Sequence, residues 1–400
     1  MTTSNPYVRS ASIALPSADG CRSSSVAAFG CVLVVISAYC FCPSVFAQTP
    51  DFRTGDEPNQ SWTATTDVKA ENLNPARIIE SHSWNTNHTV DKRSVEIRGV
   101  NGYLEPYQDI EREILQADDT TMRTITRTFV RDVNGRKTLV QVIEEQKHIL
   151  FEGDSNIVRT TSIADLNGTL QPVRSEIVET KSIGADMEET NTTVMLPSFY
   201  GGFAPVMKGH ELQKSGAKGA IESQETMLLL DGAGNWQARE MRQSTIRQVV
   251  NNRNTDEHNF RRDAEDKLSE FSHVVRTNSE SAAGQTRSVM EIYSLDIPGT
   301  TPDGSLHLVE RSTSTHRTSV TGEQLTEKQA DQVNPGDPGL DLRVSVLVDG
   351  RMVPGPSGQQ STVIIRERDS NGNFGVVSVE TTKSDRIPTI QVQQTPAEKP

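Results

Sequence analysis

The chain has 400 residues, 34% of them hydrophobic and 5% aromatic, and a net charge of -13. Its four cysteines, Cys21, Cys31, Cys40 and Cys42, all lie within residues 1–47; two arginines against one aspartate make that segment +1 and leave -14 on the remainder. These figures exclude a multi-span helical membrane protein, a disulfide scaffold, a zinc-thiolate site and a cysteine enzyme, and an acidic chain lacks the excess Lys and Arg that phosphate neutralisation needs.

Residues 1–47 read as a secretory signal. Arg9 and Arg22 precede an uncharged stretch centred on Val32-Leu33-Val34-Val35-Ile36, and Val45-Phe46-Ala47 presents acceptable residues for cleavage before Gln48. The alternative is an uncleaved anchor, since Val26 to Ala47 is long enough to span a bilayer. Tyr39 before Cys40 and Phe41 before Cys42 do not suit lipid modification. A cleaved chain is cysteine-free in an oxidising compartment.

Residues 48–93 contain Glu57-Pro58-Asn59, Asn74-Pro75 and few apolar clusters, and they read as an irregular N-terminal extension with Trp62, Trp84 and Ile78-Ile79 as docking points.

From residue 94 to 386 the chain repeats. Gly102, Gly135, Gly168, Gly201 and Gly234 recur every 33 residues, mostly in Asx-x-x-Gly words such as Asp132-Val133-Asn134-Gly135 and Asp165-Leu166-Asn167-Gly168; Asp369-Ser370-Asn371-Gly372 closes the series. Asn and Gly tolerate the positive φ of tight hairpin turns. The flanks, such as Thr124–Arg131 and Thr138–Ile143, are rich in Thr, Val, Ile and Arg, a strand pattern. A second series of breakers falls midway, through Asp118-Asp119, Gly153-Asp154, Gly184, Gly216, Asn251-Asn252, Gly284 and Gly322. Two alternating turn series describe an up-and-down antiparallel meander, one hairpin per repeat, with strands of about 10–13 residues, some 35–40 Å long. Asp256 to Phe271 also has helical spacing, but the repeat frame makes it strand, turn and strand. Residues 334–339 and 353–358 are Pro/Gly loops, and residues 387–400 form a polar, disordered tail.

The sequence thus expects an all-β chain folded as an extended or curled sheet, with a propeller, a sandwich and a barrel as alternatives. Arg127, Arg131, Glu144, Arg174, Glu176 and Arg247 interrupt the uncharged face that a lipid-facing strand requires. The turn word resembles the turns of YD repeats in Rhs-type shell proteins, but the Tyr before the Asp is absent and the period is longer, so the resemblance implies no function.

Catalytic signatures are missing. The eight histidines include no helix-borne His-Glu-x-x-His pair; His82 and His88 are the closest in sequence. There is no nucleophile elbow or phosphate-binding glycine loop. Adjacent carboxylates such as Glu144-Glu145 point to opposite faces of a strand and cannot form a dyad. The cluster Phe199, Tyr200 and Phe203 beside Gly201-Gly202 is the one candidate ligand or partner surface. The expected role is structural, adhesive or binding, in the cell envelope or outside it, without catalysis, metal or cofactor. The partner is left open between a protein and a polysaccharide, with membrane contact only through an uncleaved signal. The alternatives are a secreted propeller-like or sandwich enzyme with a site from distant loops, and an outer-membrane barrel.

Overall fold

The computed structural model describes residues 60–385 except 71–75, 86, 100, 133, 151–152, 264, 282–283, 298–303, 335–340, 356–357 and 370. The signal and the tail lie outside the described residues.

Twenty strands follow one another as a single antiparallel sheet, from β1 (Gln60–Ala70) and β2 (Ala76–Trp84) to β19 (Gly358–Arg368) and β20 (Phe374–Ser384). Each strand pairs with the next, and β20 pairs with β1, from Ala64 opposite Ser384 to Ala70 opposite Ser378. The meander therefore closes into a barrel. At about 4.8 Å between strands and a tilt of about 40°, twenty strands set a radius of roughly 20 Å. The open curled sheet, the propeller and the sandwich are overturned by this seam. No stretch of sequence contains the seam, because it joins the first strand to the last.

The described residues between 60 and 98 are strands rather than an irregular extension. β1, β2 and β3 (His88–Arg98) pair in register across them. Their strand pattern is Thr-Ala-Thr-Thr, Ile-Ile-Glu-Ser and Ser-Val-Glu-Ile, weak in apolar mass but favourable for pairing on a sheet wet on both sides. The segment with helical spacing is β13 (Asn252–Arg262), a turn, and β14 (Leu268–Glu280), as the repeat frame requires. Val353 to Gly355 is the end of β18 (Leu342–Gly355), not loop.

The 33-residue rhythm has a local cause at each turn. Asp165 donates its N–H to Thr169 O at 2.9 Å and its carbonyl accepts from Gly168 N–H at 2.9 Å. Its Oδ1 accepts the N–H groups of Asn167 and Thr169 at 2.8 and 2.9 Å, and Gly168 has φ +79°. Asp132, Asp231, Asp263 and Asp369 repeat these bonds. Backbone N–H donation from Asn235 and from Lys267 holds the Asp231 and Asp263 carboxyls below the usual range. Such stabilisation is present above the unfolded carboxylate pKa and is lost as pH falls through the lowered folded value.

A second device repeats with the turns. One residue of each bulged strand is skipped by the pairing: Tyr107, Val140, Val173, Val206 and Arg239, again 33 apart, then Phe271, Val309, Ser345 and Val377 at less even spacing. Bulges bend and twist a strand, so one bulge per hairpin turns the sheet steadily toward closure.

Turn strain offers a two-sided test. Gly168→Val places a β-branched residue at positive φ and should cost about 1–3 kcal/mol. Val250 already sits at φ +52° in the two-residue turn between β12 (Trp236–Val249) and β13, so Val250→Gly should gain about 1 kcal/mol. Urea unfolding measures both; equal effects of one sign would refute the turn assignment.

Paired residues share a face, so the register assigns every strand position to one of two surfaces. The Thr66 face carries nearly all the tightly buried positions, among them Ile110, Thr124, Glu145, Thr190, Val194, Ala330, Val363 and Ile365. A concave surface crowds its side chains, which marks this face as the lumen side. Asp67 and its register mates then face outward. A small apolar cluster, Ala330, Val346, Val363 and Ile365, lies on the lumen side of β17 (Gln324–Val333) to β19. Among the described residues no large side chain is fully buried. Away from the seam, the described side-chain hydrogen bonds join neighbouring or next-neighbouring strands and their turns. Nothing among them bridges the lumen.

Candidate functional site

The lumen wall is a ladder of charges. Arg159 on β7 (Ser155–Ala164) reaches Glu145 on β6 (Lys137–Ile149) at 2.6 Å and Glu176 on β8 (Leu170–Ser182) at 2.9 Å. Arg174 also pairs with Glu176. Glu80 with Arg93 at 3.7 Å and Glu225 with Arg242 at 2.7 Å continue the pattern. Thr, Ser and Gln share the spaces between with apolar side chains such as Ile110, Ile143, Val194 and Met227. Such a wall is wetted by water and holds paired charges of both signs.

The outer wall is different at its two ends. The rim formed by the Asp-x-x-Gly turns gathers Phe129, Phe203, Trp236, Phe260, Tyr293 and Phe374 on the outward face. Tyr107 and Phe271 stand at bulges of the same level. Trp62 and Trp84 are near the opposite rim but on the lumen face, so that end of the outer wall has no matching pair there. Lys137 Nζ lies 4.0 Å from the Phe129 ring centroid and Lys208 Nζ 4.7 Å from that of Trp236. Rings with cations beside them form an aromatic collar around one rim.

The predicted cluster belongs to this rim. Phe199 and Tyr200 occupy the turn between β9 (Met187–Pro197) and β10 (Phe203–Ser215), and Phe203 opens β10. Phe199 and Tyr200 are 100% and 95% exposed and meet edge to face at 5.8 Å. Phe203 is 37% exposed. The other members of the collar were missed because they are scattered through the sequence. The usable signal was the offset of each aromatic from the nearest turn word.

The two sequence-adjacent histidines go separate ways. His82 faces the lumen, bonded to Asp91, stacked on Trp62 and tilted against Trp84; His88 faces outward, 3.1 Å from Glu113. The structure instead brings together Asp256, His258 and His273 on the outer face. His258 and His273 are directly opposed across β13 and β14, their rings parallel within 8° at 4.3 Å. His273 Nε2 lies 2.6 Å from Asp256 Oδ1, and His258 Nε2 lies 3.5 Å from the same oxygen. At the seam, a cavity of about 400 Å³ is lined by Asp67, Lys69, Arg77, Arg98, Val379 and Lys383, with Asp67 bonded to Arg77 at 2.8 Å.

No family model matches the chain, and no curated protein is found similar to it. Among solved structures it is similar to OccK5 (OpdH) of Pseudomonas aeruginosa, at 9% identity and a TM-score of 0.42 over 82% of this chain and 97% of that one. It is similar to OpdL of the same organism at 9% identity and a TM-score of 0.40, over 82% and 98%. The ferric citrate transporter FecA in its unliganded form gives 6% identity and a TM-score of 0.36, over 83% and 79%. At such identities and scores the likeness carries no functional argument for this chain.

Proposed function

We propose that the chain is an exported β-barrel of the cell envelope that encloses an aqueous passage and meets the membrane through its aromatic collar. The observation that carries this reading is the closed, polar-lined barrel with aromatics and cations gathered at one outer rim. Tyr, Trp and cationic side chains favour the zone where lipid meets water. The N-terminal signal supports export.

The outer wall supports shallow seating rather than full-depth insertion. Arg127 and Arg311 face outward in the middle of their strands, and Arg123, Arg247 and Arg351 face outward nearer the rim opposite the collar. Cations at the bilayer midplane cost about 2–4 kcal/mol each and much less near the interfaces, so burying Arg127 and Arg311 costs roughly 4–8 kcal/mol. The same charges favour a second reading, a free-standing exported barrel with a structural or adhesive role.

Flotation of the purified protein with phosphatidylcholine–phosphatidylglycerol vesicles separates the two. The collar reading expects co-flotation that falls at least tenfold in Phe129→Ser/Trp236→Ser/Phe374→Ser. Protein that stays with the buffer supports the free-standing barrel. Discrete conductance steps in a planar bilayer would show full-depth insertion and overturn shallow seating.

A further inference from the structure

We infer that Asp256, His258 and His273 form a binding site for a borderline divalent transition-metal ion of the zinc or copper class. The inference rests on the shallow-seated or free-standing barrel, in both of which this part of the outer wall meets water.

Strand geometry assembles the site. Asp256 and His258 are two apart on β13 and therefore project from one face. His273 stands directly opposite His258 on β14 and projects from that same face. One ligand atom from each residue lies within 4.8 Å of the others. A tetrahedral ion with bonds of about 2.0–2.2 Å holds its ligand atoms about 3.3–3.6 Å apart. The His258 Nε2 to Asp256 Oδ1 separation of 3.5 Å meets that requirement. The 2.6 Å contact between His273 and Asp256 is a direct hydrogen bond. It widens by under 1 Å when an ion takes the place of the shared proton.

The surroundings orient the ligands. His258 Nδ1 is 2.7 Å from Glu270 Oε1. With that nitrogen donating to the carboxylate, Nε2 is the unprotonated, metal-facing atom, the usual support for a ligating imidazole. As they stand the His258 and His273 rings are parallel and stacked, so their in-plane lone pairs do not converge; binding requires the His273 ring to turn out of its stack with His258 and Tyr293 while Glu270 holds His258. The Tyr293 hydroxyl donates to Glu291 at 3.2 Å and so is not a ligand. Two imidazoles and one carboxylate suit zinc, copper(II) or nickel(II) rather than calcium or magnesium, which prefer all-oxygen sets. Three protein ligands leave further positions for water. Asp256 is exposed, so the ion exchanges directly with solvent.

His82, His88 and His210 each pair with one carboxylate, of Asp91, Glu113 and Glu189 respectively. They serve as internal controls for adventitious binding by a single histidine.

The test is a copper(II) titration of the full chain with Cys21, Cys31, Cys40 and Cys42 replaced by serine, so that no thiol binds or reduces the ion, read by electron paramagnetic resonance and chelator competition. The expected result is one ion bound at micromolar or tighter affinity, with hyperfine coupling to two nitrogens. His273→Ala should reduce the coupling to one nitrogen and weaken binding at least tenfold. Glu270→Gln should weaken it about tenfold through loss of orientation, while His210→Ala should leave it unchanged. On the unaltered protein, zinc should protect His258 and His273 from diethylpyrocarbonate while His210 still reacts. Binding unaffected by His258→Ala/His273→Ala, equal modification of all histidines with and without zinc, or affinity no tighter than about 100 μM would each overturn the assignment.

Discussion

Oxidation of a Thr66→Cys/Thr382→Cys variant is expected to close an intramolecular disulfide, in a background where Cys21, Cys31, Cys40 and Cys42 are serine. Thr66 and Thr382 are opposed across the β1–β20 seam, and their hydroxyls are 2.8 Å apart. Opposed residues of an antiparallel pair have the Cα separation a disulfide needs. The two positions are 316 apart in sequence. Tying so long a loop removes much of the freedom of the unfolded chain, and the oxidised protein should gain about 4–5 kcal/mol. Non-reducing electrophoresis and urea unfolding read the two effects. A monomer that stays reduced, or a bond formed only between molecules, would mean that the sheet is open.

The second large effect is expected at Arg159. It is the cation shared by Glu145 and Glu176, whose side chains are 10% and 13% exposed while its own is 34% exposed. Removing one partner of a buried pair leaves an uncompensated charge that costs about 3–5 kcal/mol, and partial solvent access reduces the loss here to roughly 2–3 kcal/mol. Arg159→Met should therefore lower unfolding stability by that amount, and Glu145→Gln in the same chain should restore most of it, since Glu176 keeps its pairing with Arg174. A loss below about 0.5 kcal/mol in Arg159→Met would mean that water screens the lumen wall at this level.

The repeat was legible because it is local chemistry. The side chain of Asp165 and the positive φ of Gly168 make the same turn wherever the word recurs. Thr-Val-Ile-Arg flanks then extend as strands. The variant turn at Asp263–Lys267 kept its phase because Asp266 takes the glycine position at φ +69°. The first three strands were hidden because Pro and Asn punctuate them and neither face is strongly apolar. The Phe199–Phe203 cluster could be found because its members are neighbours in sequence. The pairing of His258 with His273 could not, because fifteen residues and a turn separate them and only the register makes them opposed.

The sequence by itself determined the hairpin period and the positions of most turns, both of which depend on residues within a few positions of one another. The tertiary structure decided closure, because the first and last strands share no local signal. It also decided which residues face the lumen, since each bulge resets the alternation along its strand. The aromatic collar and the two-histidine cluster follow from that register.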